Sequence, residues 1–196
     1  MPATLDRGVR QALLGAAREA IASRFGVHNE PPRAPLSAPE CSGVFVTVRV
    51  EGELRGCIGF LRLQAGLVDT LVDAARRAVS EDPRFQPVQE QELDRLCIEI
   101  TLLGPIERIS DPHDFTIGTH GVVLECRHHR GLLLPQVAVE HGWDQTQFLS
   151  ALCQKTKLPD RAWEWPDAML SRFEGMKFSE EDEDVESRNN ETGAKE

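Results

Sequence analysis

The heptapeptide Leu54-Arg55-Gly56-Cys57-Ile58-Gly59-Phe60 decides how the rest of the chain is interpreted. It follows a β-branched run over residues 43–50 and a Glu51-Gly52-Glu53 turn, so it is predicted to be the return strand of a hairpin. A core strand gains nothing from two glycines, because glycine gives up side-chain packing and costs backbone entropy. The glycines therefore indicate a bulge, a kink or a place where another group approaches the backbone closely.

Around this hairpin the sequence predicts a mixture of helices and further strands. The predicted helices, from apolar residues at helical spacing and from caps at Thr4 and Asp144, cover residues 4–25, 66–82 and 144–155. The predicted strands cover residues 43–50, 54–60, 96–102, 121–127, 131–134 and 169–178, and the strand over 96–102 should have one solvent-exposed face. Hairpins mixed with helices predict an α+β fold with mainly antiparallel sheets.

The charge of the chain is concentrated at its C-terminus. The formal net charge is −10, and residues 179–196 hold eight acidic and two basic residues, so −6 lies there and −4 on the rest. Residues 1–178 are predicted to form a single domain, and residues 179–196 an acidic, disordered tail. The acidic balance argues against a broad nucleic-acid-binding face, which needs clustered lysine and arginine.

A cytoplasmic protein is predicted, because the sequence lacks signals for secretion and for membrane insertion. The N-terminus has no secretory pattern, and the apolar runs are too short to span a bilayer. The five cysteines have no CxxC spacing, so they are expected to be free thiols in a reducing cytoplasm. The proline-rich residues 29–39 are predicted to be an irregular connector.

Cys57 is the strongest candidate for chemistry. A thiol reacts as the thiolate, which cationic neighbours and backbone N–H groups stabilise. Arg55 shares a face with Cys57 on a regular strand, and the flanking glycines leave room for a substrate. Cys57 is therefore predicted to be a nucleophile or thiol ligand, and the predicted substrate contacts are Arg55, Gly56 and Gly59. The alternative is a small buried hydrophobe, as most free cysteines are.

Two residues outside the heptapeptide complete the predicted site. Arg84, in the loop Asp82-Pro83-Arg84-Phe85, is predicted to hold an anionic, planar ligand. The alternative is that Phe85 anchors this loop while Arg84 pairs with a nearby carboxylate. His120 lies where a strand begins and is a candidate acid or base, the alternative being a structural histidine.

Two other patterns have less support. Cys126, His128 and His129 have donor atoms for a metal, but their spacing matches no structural zinc pattern and a charged hairpin tip explains them. No metal site is predicted, and the residues identify no cofactor. Gly56-Cys57-Ile58-Gly59 has the GxxG form that KH domains place against nucleic acid, but it follows a strand and lacks flanking lysines.

The chain resembles the AMMECR domain family (the AMME syndrome candidate-region protein and its prokaryotic relatives). Leu54-Arg55-Gly56-Cys57-Ile58-Gly59 is similar to the signature hexapeptide of the family, and Asp82-Pro83-Arg84-Phe85 with Pro87 is similar to its second block. The third block and its continuation are matched by residues 131–138, Glu140, Gly142, Trp143, Phe148, Leu149, Cys153, Lys155 and Trp163. The resemblance covers roughly residues 5–178.

The resemblance implies a fold and partners. The fold would have a larger and a smaller lobe, with antiparallel sheets flanked by helices and a cleft between the lobes. The implied type is AmmeMemoRadiSam system protein A, which is associated with a Memo-like protein and a radical-SAM protein. Two functions stay open: an enzyme whose cleft is built on the hexapeptide and Cys57, or a non-catalytic binding or scaffold module for those partners. Nucleic-acid binding is a third, less favoured function.

Overall fold

The computed structural model of the protein describes residues 5–27 and 40–183. The predicted connector over 29–39, Thr4 and residues 184–196 of the predicted tail lie outside these residues. The chain divides into two compact units: the first runs to Leu102 and resumes at Met176, and the second comprises Leu103–Gly175. Within 5–27 and 40–183, no helix is both long and apolar enough to cross a membrane.

The first unit is built from two helices packed on a hairpin and its neighbouring strand. Its elements are α1 (Arg7–Ser23), β1 (Gly43–Val50), β2 (Glu53–Phe60), α2 (Leu67–Ala78), a 3-10 helix (Glu90–Arg95) and β3 (Leu96–Leu103). β1 lies between β2 and β3, so β2 is an edge strand. Antiparallel pairing of β1 with β2, beside these helices, confirms the predicted hairpin and the α+β class.

The hydrophobic core of the first unit follows from the period of each element. Four alternating valines of β1 are buried together with one face of each helix, and the core contains Val44, Val46, Val48, Val50, Leu13, Ala17, Leu71 and Ala75. Glu51 and Gly52 form the two-residue hairpin turn with positive φ angles of 53° and 84°. Two successive positive φ angles match the right-handed twist of the flanking strands.

Two details of the first unit differ from the sequence predictions. The N-cap of α1 is Asp6, whose side chain accepts a hydrogen bond from the backbone N–H of Gly8 at 2.8 Å, and not Thr4. The predicted exposed face of β3 is wrong, because Thr101 is 1% exposed and Glu99 is 9% exposed. Glu99 tolerates this burial because Lys177 pairs with it at 2.8 Å.

The second unit places two helices beside antiparallel strands. Its elements are β4 (Glu107–Ile109), β5 (His120–Cys126), β6 (His129–Leu133), α3 (Pro135–His141), α4 (Gln145–Lys155), a 3-10 helix (Ala162–Glu164) and most of β7 (Ala168–Ser179). β5 pairs with β6 and with β7, and β4 pairs with β7, all antiparallel. The predicted cap of α4 is confirmed, since Asp144 and Gln147 form a reciprocal capping box. α3 and β4 were not predicted.

Beyond the second unit, β7 continues to Ser179 and a helical turn follows over residues 180–183. The Ser179 hydroxyl accepts a hydrogen bond from the backbone N–H of Asp182 at 3.2 Å, and the Asp182 carboxylate accepts one from the backbone N–H of Ser179 at 2.9 Å. These reciprocal bonds cap the turn. The first five residues of the predicted tail therefore have defined structure.

Candidate functional site

The heptapeptide forms an edge strand that contains a bulge. Val48 lies opposite Gly56 and Arg49 lies opposite Leu54, so Arg55 is the extra residue of β2. A bulge twists a strand locally and re-aims its side chains. The bulge that the two glycines predicted is confirmed. The GxxG sequence lies within β2, and KH domains place theirs in a loop between two helices.

The space beside both glycines is filled by the protein itself. A Cβ atom on Gly56 would overlap the carbonyl oxygen of Ala78 at the end of α2, and a Cβ on Gly59 would overlap the ring of Phe45. The predicted close approach to the backbone is therefore made by a helix end and an aromatic side chain. Substrate contact by these two glycines stays a prediction.

A buried carboxylate holds the loop after α2 against the edge of β2. Asp82 is 5% exposed, and one of its oxygens, Oδ2, accepts a hydrogen bond from the backbone N–H of Cys57 at 2.9 Å. Arg84 donates its Nε to Oδ1 at 2.9 Å and its Nη2 to Oδ2 at 2.7 Å. Asp82 thus satisfies an edge N–H group that would otherwise invite pairing with another strand.

The charges of this pair stabilise one another. The side-chain hydrogen bonds from Arg84, helped by the backbone N–H groups of Cys57 and Arg84, lower the pKa of Asp82 from 3.8 to about 2 against the opposing effect of burial. The same hydrogen bonds raise the pKa of Arg84. Both groups are therefore ionised at neutral pH. Of the two interpretations of Arg84 given above, the structure contains the second, in which Arg84 pairs with a nearby carboxylate.

Arg55 is held in the same way by a second carboxylate. Its Nε and Nη2 donate to the two oxygens of Glu92 at 2.8 Å and 3.0 Å, and its Nη1 donates to the backbone oxygen of Gln86 at 3.3 Å. These bonds raise the pKa of Arg55 and lower the pKa of Glu92. Both arginines of the predicted site, Arg55 and Arg84, thus already bind a carboxylate of the chain.

The Cys57 sulfur lies in a polar setting on a half-buried strand. The hydroxyl of Thr47, directly opposite on β1, donates a hydrogen bond to Cys57 Sγ at 3.3 Å. The backbone N–H of Cys57 and Nη2 of Arg84 bind the same oxygen of Asp82, which places the guanidinium beside the backbone of Cys57. Arg84 also lies over the ring of Phe85, with 5.2 Å from Cζ to the ring centroid. A hydroxyl donor therefore contacts the sulfur, and a cation is bound to the carboxylate that holds the backbone of Cys57.

His120 lies in the second unit, whereas Cys57, Arg55 and Arg84 lie in the first. It is the first residue of β5, and its Nδ1 accepts a hydrogen bond from the backbone N–H of Thr116 at 3.0 Å. That bond requires the neutral tautomer with its proton on Nε2 and closes the turn that precedes β5. His120 therefore has a structural role, as the acceptor that closes this turn. Its role as acid or base stays a prediction.

Cys126, His128 and His129 lie at the hairpin of β5 and β6 in the second unit, with His128 in the turn. Cys126 is 1% exposed, and His129 Nδ1 lies 2.8 Å from the backbone oxygen of Thr156. In the described part of the chain, no three histidine, cysteine or acidic side chains are grouped as a metal site would require. All five cysteines are free thiols.

Sequence reasoning missed three residues of the site: Thr47, Asp82 as a ligand of the strand edge, and Glu92. Asp82 stands in the same tetrapeptide as Arg84, so a capping aspartate before proline was a readable signal. Thr47 could have been found from the hairpin, because it is the polar residue opposite Cys57. Glu92 carries no local signal, since it lies 37 residues from Arg55.

Comparison with known proteins assigns the chain to a family. A protein of Methanothermobacter thermautotrophicus is 38% identical over 190 residues, covering 91% of this chain and 98% of its own length. A protein of Thermococcus gammatolerans is 41% identical over 182 residues, covering 86% and 89%. The crystal structure of an uncharacterised protein from Pyrococcus horikoshii is similar with a TM-score of 0.78 at 38% identity, covering 86% of this chain and 90% of that one. The AMMECR1 family model matches residues 14–178, and the chain belongs to the AMMECR1 family.

Proposed function

We propose that the first unit carries a thiol-dependent site whose reactive atom is Cys57 Sγ. The observation that supports this most directly is the setting of Cys57, whose sulfur accepts a hydrogen bond from Thr47 and whose backbone N–H shares Asp82 Oδ2 with Nη2 of Arg84. Asp82 positions the site, because it binds both Arg84 and the backbone of Cys57. The odd number of free cysteines suits a reducing compartment, so we place this chemistry in the cytoplasm.

The class of ligand follows from the guanidinium nitrogen of Arg84 that does not bind Asp82. Its Nε and Nη2 bind Asp82, so Nη1 faces away from that carboxylate on a side chain that is 56% exposed. The ring of Phe85 lies against the guanidinium plane. A small ligand with a carboxylate and an electrophilic carbon fits these groups, with its carboxylate at Arg84 and its carbon at Cys57.

Alkylation kinetics test this proposal. The Cys57 thiolate attacks the carbon of iodoacetamide, the C–S bond forms as the C–I bond breaks, iodide leaves, and the thiol proton goes to solvent. Peptide mapping gives the rate at each cysteine of the folded protein. Cys41 is the internal reference, since it is half-buried in the same unit and burial raises its pKa. We expect Cys57 to react about tenfold faster than Cys41 at neutral pH.

Variants show whether the alkylation rate of Cys57 depends on the residues around its sulfur. Arg84→Gln and Thr47→Val should slow the reaction of Cys57 and leave that of Cys41 unchanged. Arg77→Gln, which removes an exposed arginine of the same unit, should change neither. The ratio of the iodoacetate rate to the iodoacetamide rate should be higher at Cys57 than at Cys41, and Arg84→Gln should remove that excess. A Cys57 that reacts no faster than Cys41 contradicts the proposal.

A second candidate function is a non-catalytic docking module for the Memo-like and radical-SAM proteins. The observation in its favour is that Arg55 and Arg84 are both neutralised by carboxylates of the chain and that both glycines pack against the chain. A pull-down with those two proteins distinguishes the functions. Partner binding that is retained by Cys57→Ala favours docking independent of thiol chemistry, and binding lost with Cys57→Ala favours the thiol site.

A further inference from the structure

The acidic turn over residues 180–183 lies on three arginines of α1. Glu183, only 6% exposed, pairs with Arg10 at 2.5 Å and with Arg7 at 3.3 Å. Glu180 binds Arg18 through both carboxylate oxygens at 2.5 Å. Arginine is suited to such two-oxygen recognition of a carboxylate. The face of α1 defined by Arg7, Arg10 and Arg18, which we call the α1 basic face, therefore binds two carboxylates three residues apart.

The α1 basic face is more than a surface ion pair. The carboxylate of Glu180 also accepts the backbone N–H of Ile98 at 2.8 Å, so a strand donor and an arginine hold it together. Arg18 in turn donates to the backbone oxygen of Leu96 at 2.5 Å, which fixes the guanidinium at the start of β3. The main partner of Arg18 is Glu180, and that contact raises the pKa of Arg18. A carboxylate from any source would find the same preset donors here.

The turn is held by charge and not by apolar packing. Phe178, 3% exposed, is the last buried apolar side chain in the described part of the chain. Ser179 follows it, and the next four residues, 180–183, are all acidic. Salt screens the more exposed pair of Arg18 with Glu180 more strongly than the buried carboxylate of Glu183, and it does not weaken buried apolar contacts. Beyond the buried anchor at Phe178, the turn therefore has only polar and charged side chains to hold it against α1.

A cavity of about 430 Å³ lies beside the turn. It is lined by α1, by the start of β3 and by the turn, through Leu14, Gly15, Arg18, Cys97, Glu180 and Glu181. The thiol of Cys97 is half-buried there, and burial is the main cause that raises its pKa. Departure of the turn would expose this thiol to solvent. The alkylation rate of Cys97 therefore reports whether the turn is bound to α1.

We propose that the α1 basic face is a docking surface for an acidic peptide segment of a partner protein, and that the chain's own turn over residues 180–183 is a displaceable latch on it. The partner segment presents two glutamates three residues apart, as Glu180 and Glu183 do. The tethered latch competes with it at an effective concentration on the order of millimolar. Binding of the partner therefore requires release of the latch.

The test uses the full-length chain and a fluorescein-labelled synthetic peptide with the sequence of residues 178–190. In the variant Glu180→Gln/Glu183→Gln the latch loses both paired carboxylates. We expect the peptide to bind this variant at least about tenfold more tightly than the wild type, because the internal competitor is weakened. Binding should weaken as salt rises. Alkylation of Cys97 should be faster in the variant than in the wild type.

Matched controls locate the binding. Arg18→Gln in the released variant should abolish peptide binding, and Arg95→Gln, which removes an exposed arginine paired with Glu51, should not. A peptide with glutamine in place of both glutamates should not bind.

Three results would overturn the proposal. One is equal peptide affinity for wild type and released variant. Another is loss of cooperative unfolding in the released variant, because the turn would then be an integral part of the fold. The third is tighter binding of a short single-stranded RNA than of the peptide, which would assign the face to nucleic acid.

Discussion

Replacing Asp82 with asparagine tests the electrostatic basis of the site. The Asp82 carboxylate accepts four hydrogen bonds: Oδ1 from the backbone N–H and Nε of Arg84, and Oδ2 from Nη2 of Arg84 and the backbone N–H of Cys57. Asp82→Asn keeps the shape of the side chain but puts an NH₂ group in front of two of these donors. It also leaves Arg84 without its counter-charge. We expect a loss of about 2–4 kcal/mol in the free energy of unfolding at pH 7.

The pH dependence of this loss in unfolding free energy can be predicted more specifically. The pKa of Asp82 falls from 3.8 to about 2 on folding, and a tenfold change in equilibrium is worth about 1.4 kcal/mol, so the lowering corresponds to about 2 kcal/mol. Because the folded pKa lies below the unfolded one, this stability is complete above about pH 4 and is lost as the pH falls towards 2. Asparagine does not titrate. The difference between wild type and Asp82→Asn should therefore shrink by about 1 kcal/mol between pH 7 and pH 3.

Urea denaturation at a series of pH values, followed by far-ultraviolet circular dichroism, measures this difference, because the helices α1 and α2 of the first unit contribute to that signal. Asp94→Asn is the control, since Asp94 is an exposed carboxylate of the same unit and its replacement should change stability by less than about 0.5 kcal/mol. A difference between wild type and Asp82→Asn that stays constant with pH would refute the assignment of the lowered pKa to Asp82. A loss below about 0.5 kcal/mol at pH 7 would refute the importance of its four hydrogen bonds.

Three further predictions use the same denaturation assay. Gly56→Ala should lower the free energy of unfolding by about 2–3 kcal/mol, because the added Cβ would overlap the backbone oxygen of Ala78, which cannot rotate away. An unchanged stability would show that α2 can shift. Gly15→Ala should instead stabilise the protein by about 0.5–1 kcal/mol, since no atom lies within 4 Å of the added Cβ in α1, and a loss would contradict this. Arg55→Gln and Glu92→Gln should each cost about 1 kcal/mol and couple by about 0.5–1 kcal/mol in a double-mutant cycle; additive effects would show that their two-point contact does not stabilise the fold.

Much of the local structure could be read from the sequence, and the misses have identifiable causes. The β1–β2 hairpin, both long helices of the first unit and the cap of α4 follow from periodicity and capping residues, which act within a few positions of the chain. α3 was missed although Pro135 stands at its first turn and Gly142 ends it with a positive φ, a readable pair of signals on a short helix. The exposed face predicted for β3 was wrong because alternation of residue type does not show what packs on each face.

Of the candidate site, the heptapeptide by itself predicted a bulge, a kink or a close approach to the backbone, because glycine has no Cβ to pack or to prevent such an approach. The structure contains a bulge at Arg55 and close approaches at both glycines. The family of the chain was identified from the heptapeptide together with the blocks that follow it, and the family model matches residues 14–178. Only the tertiary structure decided that the approaching groups are Ala78 and Phe45, and that both arginines are neutralised. The same holds for Glu183, whose partner Arg10 lies 173 residues away in the chain. Charge pairs form between whatever side chains the packed elements bring within reach, and no periodicity in a single sequence specifies that choice.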